Sequence, residues 1–379
     1  MKKFNLKKYL GGFSALLAMS GSCFAAGWQL TDLGAFESGT SGGYALTVDG
    51  RVGGLSARAD GLPYPFLSQN GQLAPIGNTT GVVLVANKNG LAAGRITSAD
   101  GLRIELGIFS GNNTIPLGGF GGGYVEINGI NENGQVVGYG VFSNYNEHAF
   151  VATTAGLVDL GTLGGRFSRA VGINNAGAIV ASATNAKGQT RCALSYGGGL
   201  TEIGSLSTKG SCLPTAINSS GLVVGSAYNG QEYHAFLYDG RQFYDLGTLG
   251  GNDSSAEGIN DLGQIAGTAR IASGDYRAFL YSAGSILNLG MPAGAAGNSY
   301  SRTINNKGQV IGYYTLNSDP NKTRRSFLYS NGVIADVSSL ASGLADIEYT
   351  TLRINDAGQL AGTGKINGVQ RAFLLTPLP

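Results

Sequence analysis

Histidine and charged residues are scarce in this sequence of 379 residues. It contains two histidines, and charged residues make up 13% of the chain, about half of the usual share. A zinc site or a Ser-His-Asp triad needs more partners than two isolated histidines offer. The G-x-x-x-x-G-K-[ST] phosphate loop and the D-x-[DN]-x-[DN]-G calcium loop are absent too. We therefore predict neither a metal nor a cofactor, and we assign no catalytic residue.

An excess of positive charge is also missing once the N-terminal segment is set aside. Residues 1–26 have the pattern of a secretory signal peptide: four lysines precede the apolar run Phe13–Met19, and small residues precede a cleavage point after Ala25 or Ala26. Four of the 25 basic residues and none of the 23 acidic residues lie there, which leaves 21 against 23 and a net charge of −2. This balance argues against nucleic acid as a partner. We predict a secreted protein, extracellular or, in a Gram-negative host, periplasmic.

Long apolar runs and helical periodicity are absent from the rest of the chain. No stretch approaches the run of about 20 apolar residues that a membrane helix needs, so no membrane span is predicted. No long segment repeats apolar residues at i, i+3, i+4 and i+7. Glycine, in contrast, occurs 64 times. The composition predicts many short strands joined by glycine turns.

A nine-residue pattern recurs along the chain and defines a repeat. Its copies are Leu46–Gly54, Ala86–Gly94, Ile130–Gly138, Ile173–Ala181, Ile217–Gly225, Ile259–Gly267, Ile304–Gly312 and Ile354–Gly362. The turn glycines of these copies are Gly50, Gly90, Gly134, Gly177, Gly221, Gly263, Gly308 and Gly358, at spacings of 40 to 50 residues. Because glycine tolerates a positive φ, these positions predict tight hairpin turns.

Each unit divides into four apolar pieces, which in the fourth unit are Ser168–Asn174, Ala178–Thr184, Arg191–Tyr196 and Leu200–Gly204. Four short strands in a unit of this length are typical of a β-propeller blade. The sequence therefore predicts an all-β protein in which residues 27–379 form a single β-propeller of eight four-stranded blades. The segment Leu30–Gly34 matches a fourth piece but precedes every first piece. We expect this N-terminal strand to close the ring as the outer strand of the last blade, whose own pieces stop after the third.

Two tripeptides and a seven-residue motif carry a resemblance to a known family. His-Ala-Phe occurs at His148–Phe150 and His234–Phe236, and other units place Cys192, Arg277 or Arg371 in the histidine slot. "DLGTLGG" occurs at Asp159–Gly165 and Asp245–Gly251. Together with the repeat, these motifs resemble the HAF-repeat family of bacterial secreted proteins over nearly all of the chain after residue 26. The resemblance implies an extracellular repeat protein of unestablished activity.

The glycine-rich motif and the cysteines have structural interpretations. Gly161–Gly165 leads into another predicted strand and not into a helix whose N-terminus could hold phosphate, so we interpret it as the crossing between blades. Cys192 and Cys212 are predicted near the same face of adjacent blades. The sequence leaves open whether they form a disulfide or remain two buried thiols.

One face of the predicted ring gathers the variable loops, namely the connections between second and third strands and the crossings between blades. The candidate binding residues on this face are Tyr145, Arg166, Phe167, Tyr233, Asn252, Asp253 and Tyr276. Tyrosine, asparagine and arginine suit polar, partly aromatic recognition. The sequence thus predicts a monomeric, non-catalytic scaffold that binds an unknown protein or glycan through this face. A carbohydrate-active enzyme using the channel and a passive surface repeat protein are the alternatives.

Overall fold

Short strands form almost all of the regular structure. The structure is a computed structural model that describes residues 27–37 and 39–379, so the predicted signal peptide lies outside the described residues. The strands of the first half are β1 (Trp28–Asp32), β2 (Ser41–Leu46), β3 (Val52–Ala57), β4 (Pro63–Leu67), β5 (Gly81–Ala86), β6 (Ala92–Thr97), β7 (Ile104–Ser110), β8 (Asn113–Gly118), β9 (Gly121–Ile130), β10 (Val136–Phe142), β11 (Glu147–Thr153), β12 (Gly156–Asp159), β13 (Gly164–Ile173), β14 (Ile179–Asn185), β15 (Thr190–Ser195) and β16 (Thr201–Gly204). The all-β prediction is confirmed.

The second half continues the same pattern. Its strands are β17 (Cys212–Ile217), β18 (Val223–Tyr228), β19 (Tyr233–Tyr238), β20 (Phe243–Gly247), β21 (Gly250–Ile259), β22 (Ile265–Ile271), β23 (Tyr276–Ser282), β24 (Ser285–Asn288), β25 (Gly297–Ile304), β26 (Val310–Leu316), β27 (Arg325–Ser330), β28 (Val333–Asp336), β29 (Leu344–Ala345), β30 (Arg353–Ile354), β31 (Leu360–Ile366) and β32 (Val369–Pro377). A short 3-10 helix spans Val337–Ser339. In the part of the chain that the structure describes, no helix is long and apolar enough to cross a membrane.

Consecutive strands pair antiparallel into one small sheet per repeat. We number these repeat sheets one (β2–β4), two (β5–β8), three (β9–β12), four (β13–β16), five (β17–β20), six (β21–β24), seven (β25–β28) and eight (β29–β32 with β1). Sheets three and four are joined by one parallel pair, Glu147 with Phe167. Sheet one has three strands plus the isolated bridge between Phe66 and Pro75, and sheet eight begins with two strands of two residues each. Four strands per repeat therefore hold for sheets two to seven.

The N-terminal strand belongs to the last repeat sheet. β1 pairs antiparallel with β32 from Trp28 opposite Pro377 to Asp32 opposite Phe373. This pairing covers an edge of β32 that would otherwise expose unpaired backbone groups. It joins the two ends of the described chain.

The core of most repeat sheets contains a phenylalanine that lies opposite a glycine of the neighbouring strand. Phe279 in β23 is opposite Gly267 in β22, and a Cβ on that glycine would collide with the phenylalanine ring. In sheet four, alanine replaces both the glycine and the phenylalanine of this pair, because Ala181 is opposite Ala193. In sheet two the corresponding pair is Gly94 opposite Gly107. The equivalent, fully buried rings are Phe66, Phe150, Phe236, Phe279, Phe327 and Phe373. The HAF tripeptide and the last glycine of the nine-residue pattern are thus two halves of one contact.

A ladder of asparagines links neighbouring repeat sheets at the hairpin turns. The Nδ2 of Asn218 donates to the backbone carbonyl of Asn260 at 3.0 Å, and the Oδ1 of Asn218 accepts from the backbone N–H of Leu222. Asn355 of sheet eight donates in the same way to the carbonyl of Thr47 in sheet one. The asparagines of this ladder are Asn87, Asn131, Asn174, Asn218, Asn260, Asn305 and Asn355, and all are buried. The turn glycines that follow them have a positive φ, as predicted.

The two cysteines are bonded to each other. Cys192 in β15 and Cys212 in β17 form a disulfide between sheets four and five, with their Cα atoms 5.2 Å apart. Both are fully buried. The bridge ties two adjacent repeat sheets through their third and first strands.

We predict that Asn218→Ala lowers the free energy of unfolding by about 2–4 kcal/mol, because the carbonyl of Asn260 and the N–H of Leu222 both lose a buried partner. Urea unfolding monitored by circular dichroism measures the change. Ser220→Ala, at an exposed position of the same turn, is the control and should change stability by less than about 0.5 kcal/mol. Equal stabilities of the two variants would contradict the role of the ladder.

We predict that replacing both Cys192 and Cys212 by alanine costs about 3 kcal/mol, because the disulfide closes a loop with a sequence separation of 20 residues. Thermal unfolding with and without a reducing agent measures the same effect on the unmodified chain. The double variant should no longer respond to the reductant. A count of two free thiols in the native, unreduced protein would disprove the bridge.

Candidate functional site

Two neighbouring strands of sheet seven carry a pair of tyrosines where sheet six carries small residues. Tyr300 of β25 is opposite Tyr313 of β26. The equivalent pair in sheet six is Ser255 opposite Thr268. Both tyrosines are half-buried. The position that holds serine and threonine in sheet six is therefore aromatic in sheet seven.

These tyrosines line a polar cavity at the face that carries the loops between second and third strands, which we call the loop face. The cavity measures about 490 Å³. It is lined by Ser226, Tyr233, Asp253, Ser254, Ser255, Glu257, Thr268, Tyr276, Tyr300, Ser301, Arg302 and Tyr313. Sheets five, six and seven all contribute residues, so the cavity lies across their junctions. We refer to it as the tyrosine cavity.

Four tyrosine rings form a continuous row beside this cavity. The ring centroids of Tyr276 and Tyr300 are 5.6 Å apart, and those of Tyr300 and Tyr313 are 4.9 Å apart and nearly parallel. Tyr349 continues the row at 4.7 Å from Tyr313. Burial raises the pKa of both Tyr300 and Tyr313 above the usual 10.0, so their hydroxyls remain protonated in neutral solution. The tyrosine row, Tyr276, Tyr300, Tyr313 and Tyr349, thus presents aromatic surface together with hydroxyl groups.

Arginines border the tyrosine row at both ends. At one end Arg270 forms a 2.9 Å ion pair with Asp253 and lies 4.9 Å from the ring of Tyr276. At the other end Arg324 lies 5.0 Å from the ring of Tyr349 and donates to its hydroxyl. These cation–π contacts hold the rings in place and add positive charge to the rim.

Two charged residues enter the site from β-bulges. Glu257 lies in the bulge of β21 and Arg302 in the bulge of β25, where the strand register shifts. A bulge re-aims a side chain that regular pleating would point elsewhere. Burial raises the pKa of Glu257, against a hydrogen bond from Ser255 and the charge of Arg302. The cavity therefore contains a carboxyl group that is protonated more readily than an exposed glutamate.

A second cluster of the same composition lies on sheets two to four. Arg95 lies over the ring of Tyr124 and forms an ion pair with Glu126. The ring centroids of Tyr139 and Tyr124 are 6.5 Å apart, and the guanidinium carbon of Arg169 lies 4.8 Å from the ring centroid of Tyr139. In this cluster Arg95 is paired with Glu126, and Arg169 with Glu147. Its charges are internally balanced.

The structure brings together some of the predicted binding residues and separates others. Tyr233, Asp253 and Tyr276 line the tyrosine cavity. Asn252 lies beside it, and its backbone carbonyl accepts from His234 at 3.2 Å.

The remaining predicted residues lie on sheets three and four, away from the tyrosine cavity. Tyr145 is 81% exposed in the loop of sheet three. Arg166 donates to Asn146 at 3.0 Å and lies 5.8 Å from the ring of Phe167, which is exposed. These three residues do not converge with Tyr233, Asp253 and Tyr276 on one cavity.

The histidine slot pairs with the acid of the "DLG" motif. His234 Nδ1 is 2.8 Å from Asp245, and His148 Nδ1 is 2.8 Å from Asp159. In sheet four the register places Arg191, and not Cys192, in this slot, because Cys192 is opposite Ser182. The prediction for Cys192 was off by one residue. Arg191 contacts Glu202 at 3.4 Å, which is the equivalent pair.

Sequence reasoning missed most of the tyrosine row and the arginines around it. Tyr300, Tyr313 and Tyr349 were not predicted as site residues, nor were Arg270, Arg302 and Arg324. The available signal was the difference between units, since the sixth unit holds serine and threonine where Tyr300 and Tyr313 stand. Among residues 27–37 and 39–379, no group of three or more His, Cys, Asp or Glu side chains is placed to hold a metal ion.

Solved β-propellers resemble this chain. One of two prolyl endopeptidases studied for the role of inter-domain dynamics in catalysis and specificity matches with a TM-score of 0.54 and 12% identity, over 77% of this chain and 49% of that one. The β-propeller domain of the trilobed protease from Pyrococcus furiosus matches with a TM-score of 0.47 and 13% identity, over 77% and 93%. TolB from Acinetobacter baumannii has values of 0.41 and 11%, over 76% and 79%. No protein-family model and no curated protein matches the sequence.

At these identities the likeness shows the fold, which is a β-propeller. It also corrects the prediction of function. The match with a TM-score above 0.5 is a prolyl endopeptidase, so the prediction of a non-catalytic scaffold for a protein or a glycan was wrong.

We predict that Asp245→Asn lowers the pKa of His234, because the hydrogen bond that His234 donates to Asp245 is the main cause that raises this pKa above 6.5. The contribution of His234 to stability is fully present below pH 6.5 and is lost as the pH rises through its raised pKa. Burial opposes ionisation of Asp245, but hydrogen bonds from His234 and Gly247 hold the pKa of Asp245 below 3.8, so its contribution is lost only as the pH falls through that lower value.

Titration of the two histidine rings by NMR measures the shift, with His148→Gln used to assign the signals. The stability difference between the unmodified chain and Asp245→Asn should shrink as the pH rises above 6.5. An unchanged His234 titration in the variant would contradict the pairing.

Proposed function

We propose that this chain is a peptidase-like propeller that receives an extended peptide in the tyrosine cavity. It would act with a catalytic unit outside the described residues. The observation that carries this proposal is the cavity of about 490 Å³ with its tyrosine row and charged rim. Its lining offers hydroxyl and guanidinium donors together with the carboxyl groups of Asp253 and Glu257. An extended peptide exposes unpaired N–H and C=O groups that such a mixed set can satisfy.

The solved relatives of this fold support a role beside peptidase chemistry. The prolyl endopeptidase match covers 49% of that protein, and inter-domain dynamics has a role in its catalysis and specificity. We propose that the present chain does not itself supply the hydrolytic residues. Both ring nitrogens of His234 have partners, Asp245 on one side and the carbonyl of Asn252 on the other, so neither is directed at a serine hydroxyl.

We also propose the finer architecture that the sequence predicted: eight blades in one domain over residues 27–379, closed by the N-terminal strand, in a monomer. The pairing of β1 with β32 supports closure, as does the hydrogen bond from Asn355 to Thr47 that links the last repeat to the first. The HAF and "DLGTLGG" motifs support membership of the HAF-repeat family. Export to the periplasm or the cell exterior is supported by the lysine-rich start of the chain and by the disulfide.

The test is binding of short unstructured peptides to the purified full chain, measured by fluorescence anisotropy. Tyr300→Ser and Tyr313→Thr place in sheet seven residue types that sheet six already holds at these positions, so the variants should fold. We predict that they weaken peptide binding by about tenfold, or roughly 1.4 kcal/mol, because aromatic surface is lost from the cavity.

Tyr196→Ser is the matched control, because Tyr196 is 77% exposed and lies at the turn between β15 and β16. It should leave binding unchanged. Absence of binding to any peptide in the panel, with an intact fold, would disprove the proposal. Cleavage of the peptides by the purified chain would disprove the assignment of catalysis to a separate unit.

A further inference from the structure

Three arginines converge at one end of the tyrosine row. The guanidinium carbons of Arg302 and Arg324 lie 5.8 Å and 5.0 Å from the ring centroid of Tyr349. Arg302 and Arg353 share one acceptor, the backbone carbonyl of Thr350, at 3.5 Å and 2.9 Å. We call Arg302, Arg324 and Arg353 the arginine cluster. It sits where sheet seven meets the shortened first strands of sheet eight.

No carboxylate neutralises this cluster within the described residues. The salt bridges of residues 27–37 and 39–379 include Arg95, Arg169 and Arg270 but none of the three arginines here. Burial raises the pKa of Glu257 although the charge of Arg302 acts to lower it, and the salt bridges of the described residues do not include this pair. Glu348, next to Tyr349, accepts a weak hydrogen bond from the Thr350 hydroxyl. The equivalent cluster on sheets two to four pairs its arginines with glutamates.

Like charges held close together without a counter-ion are unfavourable, and more so where water is partly excluded. Burial, together with the nearby charge of Arg302, lowers the pKa of Arg353 from 12.5 to about 10. The positive charge at this end of the row is therefore uncompensated. An anion placed between these groups and the cavity would relieve it.

We propose that the arginine cluster binds a carboxylate of the peptide that occupies the tyrosine cavity; this inference rests on the proposed function. Arg302 is the first donor to this carboxylate, because it lines the cavity and also belongs to the cluster. A guanidinium group matches a carboxylate with two parallel hydrogen bonds. Arg324 lies over Tyr313 as well as Tyr349, so it is the second donor at the rim. Arg353, which shares the carbonyl of Thr350 with Arg302, adds a third positive charge.

The position of the cluster determines the orientation of the peptide. The tyrosine row runs from Tyr276, beside the neutralised Arg270–Asp253 pair, to Tyr349, beside the uncompensated arginines. A peptide that lies along the rings therefore places its negative group at the sheet-eight end. The carboxylate can come from the C-terminus or from an aspartate or glutamate side chain. Both sources offer the same planar group to the cluster.

The experiment compares three forms of one short, labelled, unstructured peptide on the full chain: the free acid, the C-terminal amide, and the amide with one internal glutamate. We expect the free acid or the glutamate form to bind about tenfold more tightly than the plain amide, because a charge-assisted hydrogen bond is gained. A preference for the free acid identifies the C-terminus as the source, and a preference for the glutamate form identifies a side chain. Equal binding of all three forms would overturn the inference while leaving the proposed function intact.

The variants Arg302→Gln and Arg324→Gln locate the effect. Each should remove most of the preference for the charged peptide over the plain amide, measured as the ratio of their affinities. Arg241→Gln is the matched control, since Arg241 is an exposed arginine in the turn before β20. Raising the salt concentration should weaken the charged forms selectively. If the charged peptide were preferred equally by Arg302→Gln, Arg324→Gln and the control, the assignment to this cluster would be wrong. Absence of binding by every form would overturn both the inference and the proposed function.

Discussion

The asparagine at each hairpin turn is the contact on which the rest of the architecture depends. Its side chain satisfies two backbone N–H groups of its own turn through Oδ1 and one carbonyl of the next repeat through Nδ2, as in Asn131 with Asn133, Gln135 and Asn174. One residue therefore fixes the local turn and the position of the neighbouring sheet together. Because the asparagine side chain is buried, its removal leaves the N–H groups of the turn and the carbonyl of the next repeat without hydrogen-bond partners. Thr47, in the first repeat, accepts from Asn355 but has no amide to donate onward, and the Arg51 guanidinium contacts the carbonyl of Lys88 there instead.

Because the asparagines fix the face that carries the hairpin turns, the opposite face, which is the loop face, is free to vary in sequence. The turn face is constrained by the asparagine ladder, and the interior by the contact between phenylalanine and glycine. The loop face carries neither constraint, so substitutions there change the surface without disturbing the repeat sheets. Sheets two to four and sheets six to eight have each gained tyrosine and arginine at this face. The first cluster is balanced by Glu126 and Glu147, and the second keeps its positive charge. The difference in charge, more than the aromatic content, distinguishes the two.

Much of the fold could be predicted because the repeated units can be compared with one another position by position. The turn glycines, the strand order and the pairing of the N-terminal strand with the last sheet all follow from matching unit against unit. Two kinds of detail did not. In sheet four the position equivalent to the histidine was assigned to Cys192, one residue too late. The pairing of β14 with β15 places Arg191 in that position, beside Glu202. The first strand of sheet eight is interrupted, and nothing in the nine-residue pattern indicates this.

The sequence by itself determined the local elements: where strands turn, how the strands follow one another within a repeat, and which connections vary between repeats. These follow from periodicity and from the φ that a turn requires, both of which are local properties. The tertiary structure alone decided which side chains from different repeats meet. Tyr300 and Tyr349 belong to different sheets, and Tyr313 bridges them only because sheets seven and eight are neighbours. Convergence of Arg302, Arg324 and Arg353 likewise depends on how adjacent sheets pack and on the bulge that re-aims Arg302, and no pattern within one repeat encodes it.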